Sequence, residues 1–296
     1  MLAYKKITSI KKINQKTKVY NFHVPKFESY VANGIVTHNC YVSRHRQLGN
    51  GLEQLTNWED IWEITKLHWQ SLDNKLPNQC DPKYWTYDIG ESTDCMLPQN
   101  INATKWFIKK FLTETTAKPT FATKLANTDA LPALLPEYKS RARVRISLMP
   151  QKISTILEPV TSPIKKRITA INTLVHKNYE VHINFSPVVL YDTWETDYKE
   201  LFETLVTELT PEALSQIKAE VIFLTHHPKL HELNLKWAPK AEELLWMPKL
   251  QETKTTQRGD ANTLRYKSQS VKPLAIKIFT NHLNSIFPHC NIRYIF

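Results

Sequence analysis

Strand-like runs recur at residues 85–89, 120–124, 144–148, 181–186 and 220–224, and helical patterns fill most of the gaps between them. No other feature leaves the chain fewer choices. Helical periodicity marks 52–72, 102–114, 129–135, 164–176 and 194–209. Strand and helix alternating every ~25–40 residues build βαβ units, because parallel neighbours need a crossover connection between them. The expectation is an α/β fold, a (β/α)6 partial barrel left incomplete at its front, with a first strand belonging upstream of Cys40. A hydrophobic content of 42% with eight tryptophans and twelve tyrosines is ample for a packed core and excludes a disordered chain. Only five glycines are present, and no G-x-G-x-x-G or Walker-type run occurs, which excludes a Gly-rich phosphate loop.

Polar residues stand where these strands should end: Asp88 with Glu91, Lys124, Ser147, Asn184 with Ser186, and Thr225-His226-His227. In β/α barrels that rim carries the chemistry. Any one of them is equally a solvated strand end, but their recurrence at the same end of every strand points to a site. The run Thr253 to Tyr266 is polar and basic, and it reads either as a phosphate-contacting loop or as an ordinary surface loop.

Residues 1–39 differ from the rest. They hold seven lysines against one glutamate, which places six of the eleven net positive charges in this short segment. Val19-Tyr-Asn-Phe-His-Val24 alternates as a strand and stops at Pro25, and Asn33-Gly34 between two apolar runs is a hairpin signal. The segment is all-β and too short to bury a core alone, so an obligate partner chain is expected. It ends in His38-Asn39-Cys40. An asparagine amide can attack its own backbone carbonyl and cut the chain after itself, with an imidazole to assist, and the next thiolate can accept and pass on an acyl group. Taken alone, the tripeptide more often ends an ordinary surface hairpin.

The whole segment resembles the C-terminal part of an intein: Val19-Tyr-Asn-Phe-His-Val24 and Ser29-Tyr-Val-Ala-Asn-Gly-Ile-Val-Thr-His-Asn-Cys40 cover its last two blocks. Glu28 stands where inteins often carry a histidine. The resemblance implies Asn39 as the cyclising residue, His38 as its assistant and Cys40 as the first residue after the splice. With Met1 only 39 residues before the junction, a split intein acting in trans is expected. Its partner would be an N-terminal precursor chain, acidic to complement the lysines.

A second resemblance begins at the same cysteine. Cys40-Tyr-Val-Ser-Arg-His is similar to the tail of the C-x-x-x-C-x-x-C motif of radical SAM enzymes. Downstream come Phe121-Ala-Thr-Lys124 with Asn127 and Asp129, Arg145-Ile-Ser147, Leu157-Glu-Pro-x-Thr-Ser162 with Arg167, Ile183-Asn-Phe-Ser-Pro187 and Tyr191-x-x-Trp194. In order and spacing these resemble spore photoproduct lyase and its relatives. The resemblance implies a barrel of radical SAM type, a [4Fe–4S] cluster held by three thiolates with S-adenosyl-L-methionine on the open iron, and DNA as a partner. Cys40 would be the third cluster ligand, the other two lying in the partner chain, while Tyr41, Lys124 and Ser147 would face S-adenosyl-L-methionine. The family's hydrogen-donating cysteine precedes a Thr-Ser-Asp run, whereas this chain reads Gly90-Glu91-Ser92-Thr93-Asp94-Cys95. Glu91 occupies the donor position, and Cys95 is the nearest substitute.

The sequence therefore predicts an intein splicing segment over 1–39 and the C-terminal part of a radical SAM domain over 40–296, ligated into a DNA-lesion lyase. This chain alone is expected to be inactive as a lyase. The rivals are an inert remnant of an interrupted gene and a nucleic-acid-binding barrel without this chemistry. The four cysteines (Cys40, Cys80, Cys95 and Cys290) are widely spaced, and no signal peptide or membrane-spanning apolar run is present. A cytoplasmic protein with reduced thiols and no membrane partner follows.

Overall fold

The computed structural model describes residues 57–71, 81, 83–90, 94–98, 100–255 and 262–296. Its centre is a six-stranded, all-parallel sheet in the order β1-β2-β3-β4-β5-β9. The strands are β1 (Thr86–Asp88), β2 (Lys118–Thr123), β3 (Arg143–Ser147), β4 (Glu180–Val188), β5 (Lys218–Phe223) and β9 (Asn291–Ile295). Helices α1 (Trp58–Gln70) and α2 (Ile101–Glu114) flank the front. Then come α3 (Gln151–Leu157) and α4 (Ile164–His176) before β4, and α5 (Trp194–Glu208) and α6 (Pro211–Gln216) before β5. After β5 the chain forms β6 (Thr225–His226), α7 (Pro228–Trp237), α8 (Pro239–Leu245), β7 (Gln251–Thr255), β8 (Asn262–Tyr266) and α9 (Val271–Ile286). Strands β6, β8 and β7 make a small antiparallel sheet.

Local sequence explains where these elements start and stop. Pro211 opens α6, and Thr210 Oγ1 caps it by accepting the Ala213 N–H at 3.3 Å. In a chain short of glycine, α4 ends through Asn178, which takes a left-handed φ of 67°. Tyr191 and Thr193 both donate to the Asp197 carboxylate, at 2.8 and 2.9 Å, in the first turn of α5, which gives the Tyr-x-x-Trp run a local purpose.

The sheet's outer face is apolar. Val144 and Ile146 of β3, Val181, Ile183 and Phe185 of β4, and Ala219 and Val221 of β5 are fully buried in one core with Ile168, Ile171, Phe202, Leu205, Phe279 and Leu283 of the covering helices. A smaller aromatic cluster of Trp62, Tyr87 and Phe111 joins α1 and α2 to β1.

Two expectations need correcting. Residues 129–135 form only a 3-10 turn, Thr128–Ala130, because Pro132 holds Leu131 extended (ψ 131°). The Thr128 and Leu131 carbonyls accept from Lys177 Nζ, at 2.9 and 2.8 Å. The first strand expected upstream of Cys40 lies outside the described residues; β9, not foreseen from sequence, adds a sixth described parallel strand at the edge beyond β5, pairing from Lys218↔Asn291 to Val221↔Ile295. The run at 253–266, read as a loop, is flanked by β7 and β8, paired antiparallel from Gln251↔Tyr266 to Thr255↔Asn262. The all-β segment expected over 1–39 lies outside the described residues.

Candidate active site at the strand ends

Alternation along the strands puts a second set of residues on the inner face. Strand β3 turns Arg143, Arg145 and Ser147 inward, and β4 turns Glu180, His182 and Asn184. Register aligns them: Arg143↔Glu180, Arg145↔His182, Ser147↔Asn184. Asn184 in turn faces Glu220 of β5, and Glu220 faces Tyr294 of β9. One row of Cα partners thus runs Ser147, Asn184, Glu220, Tyr294 across four strands.

At the start of the strands the charges close on one another. Asp81 accepts from Lys118 Nζ and Arg143 Nη2, both at 2.7 Å. Glu180 pairs with Lys118, with Arg143 at 3.1 Å and with His182 Nε2 at 2.8 Å. Further along, Arg145 bridges Asp88 and Glu220, the latter at 3.5 Å. Glu220 also takes Arg293 and the Tyr294 hydroxyl, the latter at 2.7 Å, and Arg293 donates to His182 Nδ1 at 2.8 Å. Burial alone would push the Glu220 carboxyl up, but Arg145, His182 and Tyr294 outweigh it and hold it below the usual range. Glu180 is likewise pushed up by burial and held well below that range by His182, Arg143 and Lys118.

The C-terminal ends of β2 and β3 carry a separate cluster. Lys124 follows β2, and its ammonium lies 3.0 Å from Glu158 Oε1. Glu158 Oε2 lies 2.9 Å from Arg167 Nη2, and Arg167 Nη1 donates to the Ser147 carbonyl at 2.9 Å. Arg167 Nε donates to the Ser162 carbonyl at 2.7 Å, and the Ser162 N–H returns to the Lys124 carbonyl at 3.1 Å. Three sequence runs, 121–129, 145–147 and 157–167, therefore converge on one buried knot. On its other side Asp94 accepts the Lys124 N–H at 2.9 Å and the Thr123 hydroxyl at 2.7 Å. Burial pushes its carboxyl up against these donors and the Met96 N–H.

The expected site residues fall out as follows. Lys124 and Ser147 are brought together through Glu158 and Arg167. Cys95 is next to Asp94 and joins the same patch, with its thiol buried in the core and donating to the Ile89 carbonyl at 3.6 Å. Burial, then Asp94 and Asp88, pushes that thiol up, so it stays S–H. His38, Asn39, Cys40, Tyr41 and Glu91 lie outside the described residues. One partner, Glu158, was not singled out from sequence, although it stood in a quoted run, whereas Asn184 was noted only as a polar strand end. Asn184 donates from Nδ2 to Ser147 Oγ at 3.5 Å, while its Oδ1 is buried with no hydrogen-bond partner. A buried acceptor left open costs free energy unless a ligand fills it. An incoming group bearing N–H donors fits there.

An open parallel sheet covered by helices on its outer face, with polar side chains at its strand ends, is the half-barrel of the radical SAM class. The fold matches a spore photoproduct lyase mutant with bound AdoMet and dinucleoside spore photoproduct at a TM-score of 0.75. The identity there is 18%, over 87% of this chain and 72% of that one. A spore photoproduct lyase complexed with dinucleoside spore photoproduct matches at a TM-score of 0.70 with 19% identity, over 82% of this chain and 68% of that one. In sequence, the spore photoproduct lyase of Bacillus subtilis (strain 168) is 24% identical over 62% of this chain, and that of Geobacillus sp. (strain Y412MC61) is 29% identical over 34%. The chain spans about half the length of the first (52%) and 29% of the second. The spore photoproduct lyase profile matches residues 25–296. The chain belongs to that family. The match begins inside the segment expected to splice, and none of these similarities extends to an intein.

Proposed function

We propose that residues 40–296 form the C-terminal part of a radical SAM enzyme acting on a thymine lesion in DNA. The observation that carries this reading is the row at the strand ends, where Asn184 Oδ1 is open beside Ser147 and next to the Lys124–Glu158–Arg167 knot. A [4Fe–4S] cluster, when bound, supplies the electron that cleaves S-adenosyl-L-methionine and so a radical able to take hydrogen from substrate. Cys40 would hold the cluster, with two thiolates from a second chain, and Tyr41 would sit beside it. Lys124 and Ser147 would hold the amino-acid end of S-adenosyl-L-methionine, and Asn184 would accept from one of its N–H groups. Arg167 keeps Ser147 in place through its carbonyl, and Glu158 fixes the Lys124 ammonium on the same knot.

Hydrogen return to the product radical needs a donor, and Glu91 cannot serve because its acid hydrogen is bound to oxygen too strongly. Cys95 is the thiol of this chain nearest that position. Its burial keeps the bound hydrogen in place, which is the form that hydrogen-atom donation requires.

Before any of this, residues 1–39 would splice in trans. Asn39 would cyclise with the help of His38, and Cys40 would carry the acyl group as a thioester before passing it to its own amine. Cys40 then has two roles in sequence, first as splicing nucleophile and afterwards as cluster ligand. Co-expression with the candidate N-terminal chain, followed by intact mass and iron measurement, tests both. A ligated product lacking residues 1–39 and binding iron is expected. Cys40→Ala should abolish ligation and cluster together, whereas Asn39→Ala should block splicing without removing a cluster ligand. Ligation by Cys40→Ala, or a ligated wild type without iron, would overturn the dual role.

A further inference from the structure

Away from the strand-end row, His226, His231 and Glu242 converge on a single point. His226 closes β6, His231 lies in α7, and Glu242 lies in α8. Glu242 Oε1 lies 2.8 Å from His226 Nε2 and 2.5 Å from His231 Nδ1, and all three ligand atoms fall within 4.8 Å of one another. Both imidazoles aim a ring nitrogen at the same carboxylate oxygen. The other oxygen, Oε2, is held separately by Asn234 Nδ2 at 2.7 Å.

The surroundings orient these groups. Glu242 and His226 are buried, at 1% and 2% exposure, whereas the His231 side chain keeps 22% and faces outward. The Trp246 ring stacks on His231 with centroids 3.8 Å apart and meets His226 edge-on at 6.0 Å. Two imidazoles and one carboxylate, with a fixed second oxygen and one ligand open towards solvent, make a three-ligand set with room for a fourth. Zinc bonds to such ligands at about 2.0–2.2 Å, which spaces tetrahedral ligand atoms about 3.4 Å apart. The two contacts to Glu242 are a little shorter than that spacing, so small side-chain rotations open the triad around an ion.

We infer that His226, His231 and Glu242 bind a divalent first-row metal ion, with zinc the ion the ligand set fits. Asn234 serves as the residue that positions Glu242. The ion would tie three elements, β6, α7 and α8, at one point. His226 pairs with Leu264 and Thr225 with Arg265, so β6 anchors the β7–β8 hairpin, and α7 and α8 carry the other two ligands. Metal binding would therefore fix the base of that hairpin against the helices after β5.

Zinc alone is the probe. The full chain, stripped with chelator and re-equilibrated with zinc, should retain one equivalent by mass spectrometry of the metal. Cys40→Ser and Cys95→Ser should retain it as well, which separates this site from thiolate binding. His231→Ala, at the outward ligand, should weaken zinc affinity by at least ~100-fold with an unchanged circular dichroism spectrum, and Asn234→Ala by ~10-fold. Cobalt substitution should give the visible absorption of a four-coordinate N/O site in the wild type, absent from His231→Ala. Glu242→Gln, folded by circular dichroism, should lose the metal too. Failure of the wild type to take up zinc, or uptake by folded His231→Ala as tight as wild type, would overturn the site.

Discussion

The two faces of the parallel sheet are built by opposite physics. On the outer face, residues such as Val144, Ile146, Val181 and Ile183 are fully buried against helices, and each contributes ~1.5–3 kcal/mol by leaving water. On the inner face, Lys118, Arg143, His182 and Glu220 are buried and Arg145, Glu180 and Arg293 half-buried, as charged or polar groups that pair with one another. Such pairs add little over an apolar filling, yet breaking one leaves a stranded charge that costs more than a missing methyl. The outer face supplies stability. The inner face spends that stability on a polar network in which Asn184 Oδ1 is left without a partner.

The sharpest way to break this contrast is to remove one charge and one methylene at neighbouring positions. Glu220→Gln takes a carboxylate from Arg145, Arg293 and Tyr294 at once. We expect a loss of ~3–5 kcal/mol in denaturant unfolding. Ile183→Val, one residue before Glu220's partner Asn184 but on the opposite face, should cost only ~0.5–1.5 kcal/mol. Equal losses from the two would mean that the inner face is not an ionic network but ordinary packing.

A smaller effect separates Glu180 from Glu220. Asp81 still shares Lys118 and Arg143 after Glu180→Gln, so the loss at neutral pH should fall near ~3 kcal/mol or below. Burial raises the folded Glu180 pKa, but His182, Arg143 and Lys118 bring it below the unfolded value of ~4.3. Its stabilisation is therefore complete above pH ~4.3 and is lost as pH falls through the lower, folded pKa. The stability gap between wild type and Glu180→Gln should narrow below pH ~4.3. A gap that stays constant into acid would show that Glu180 does not titrate with folding.

What was legible in the sequence follows the same division. Outer-face alternation with intervening helical periodicity gave five strands and the four helices α1, α2, α4 and α5, because both signals are local, whereas the helices after β5 were not read. Strand β9 escaped: Asn291-Ile-Arg-Tyr-Ile295 is a half-exposed edge run, and its partner β5 lies about seventy residues earlier, as the 74-residue separation between Tyr294 and Glu220 shows. Lys124 and Ser147 were legible only through recurrence, since a polar residue at one strand end is ordinary but one at the same end of every strand is not. Glu158 and Arg167 could be read only as part of a recurring run, since their contact with Lys124 and Ser147 depends on register and helix placement. The short helix at 129–135 failed for a local reason, Pro132. The metal triad was half visible: Thr225-His226-His227 drew notice as a strand end, but nothing local connects it to Glu242.

The smallest expected change in stability tests the open row itself. Asn184 Oδ1 carries the desolvation cost of a buried acceptor and returns nothing while no ligand fills it, whereas its Nδ2 contact to Ser147 is long, at 3.5 Å. Asn184→Ala should therefore change unfolding stability by less than ~1 kcal/mol in either direction, as the lost packing and the removed unpaired group offset each other. Binding should behave differently. In the proposed ligated, cluster-bearing enzyme the same substitution should weaken S-adenosyl-L-methionine by ~5–10-fold in calorimetry, the worth of one ordinary hydrogen bond. Asn184→Asp sharpens the test, since it keeps an acceptor of the same size where the ligand donates. A large stability loss in Asn184→Ala with unchanged ligand affinity would move this residue from the site to the scaffold. The functional row would then stop at Ser147.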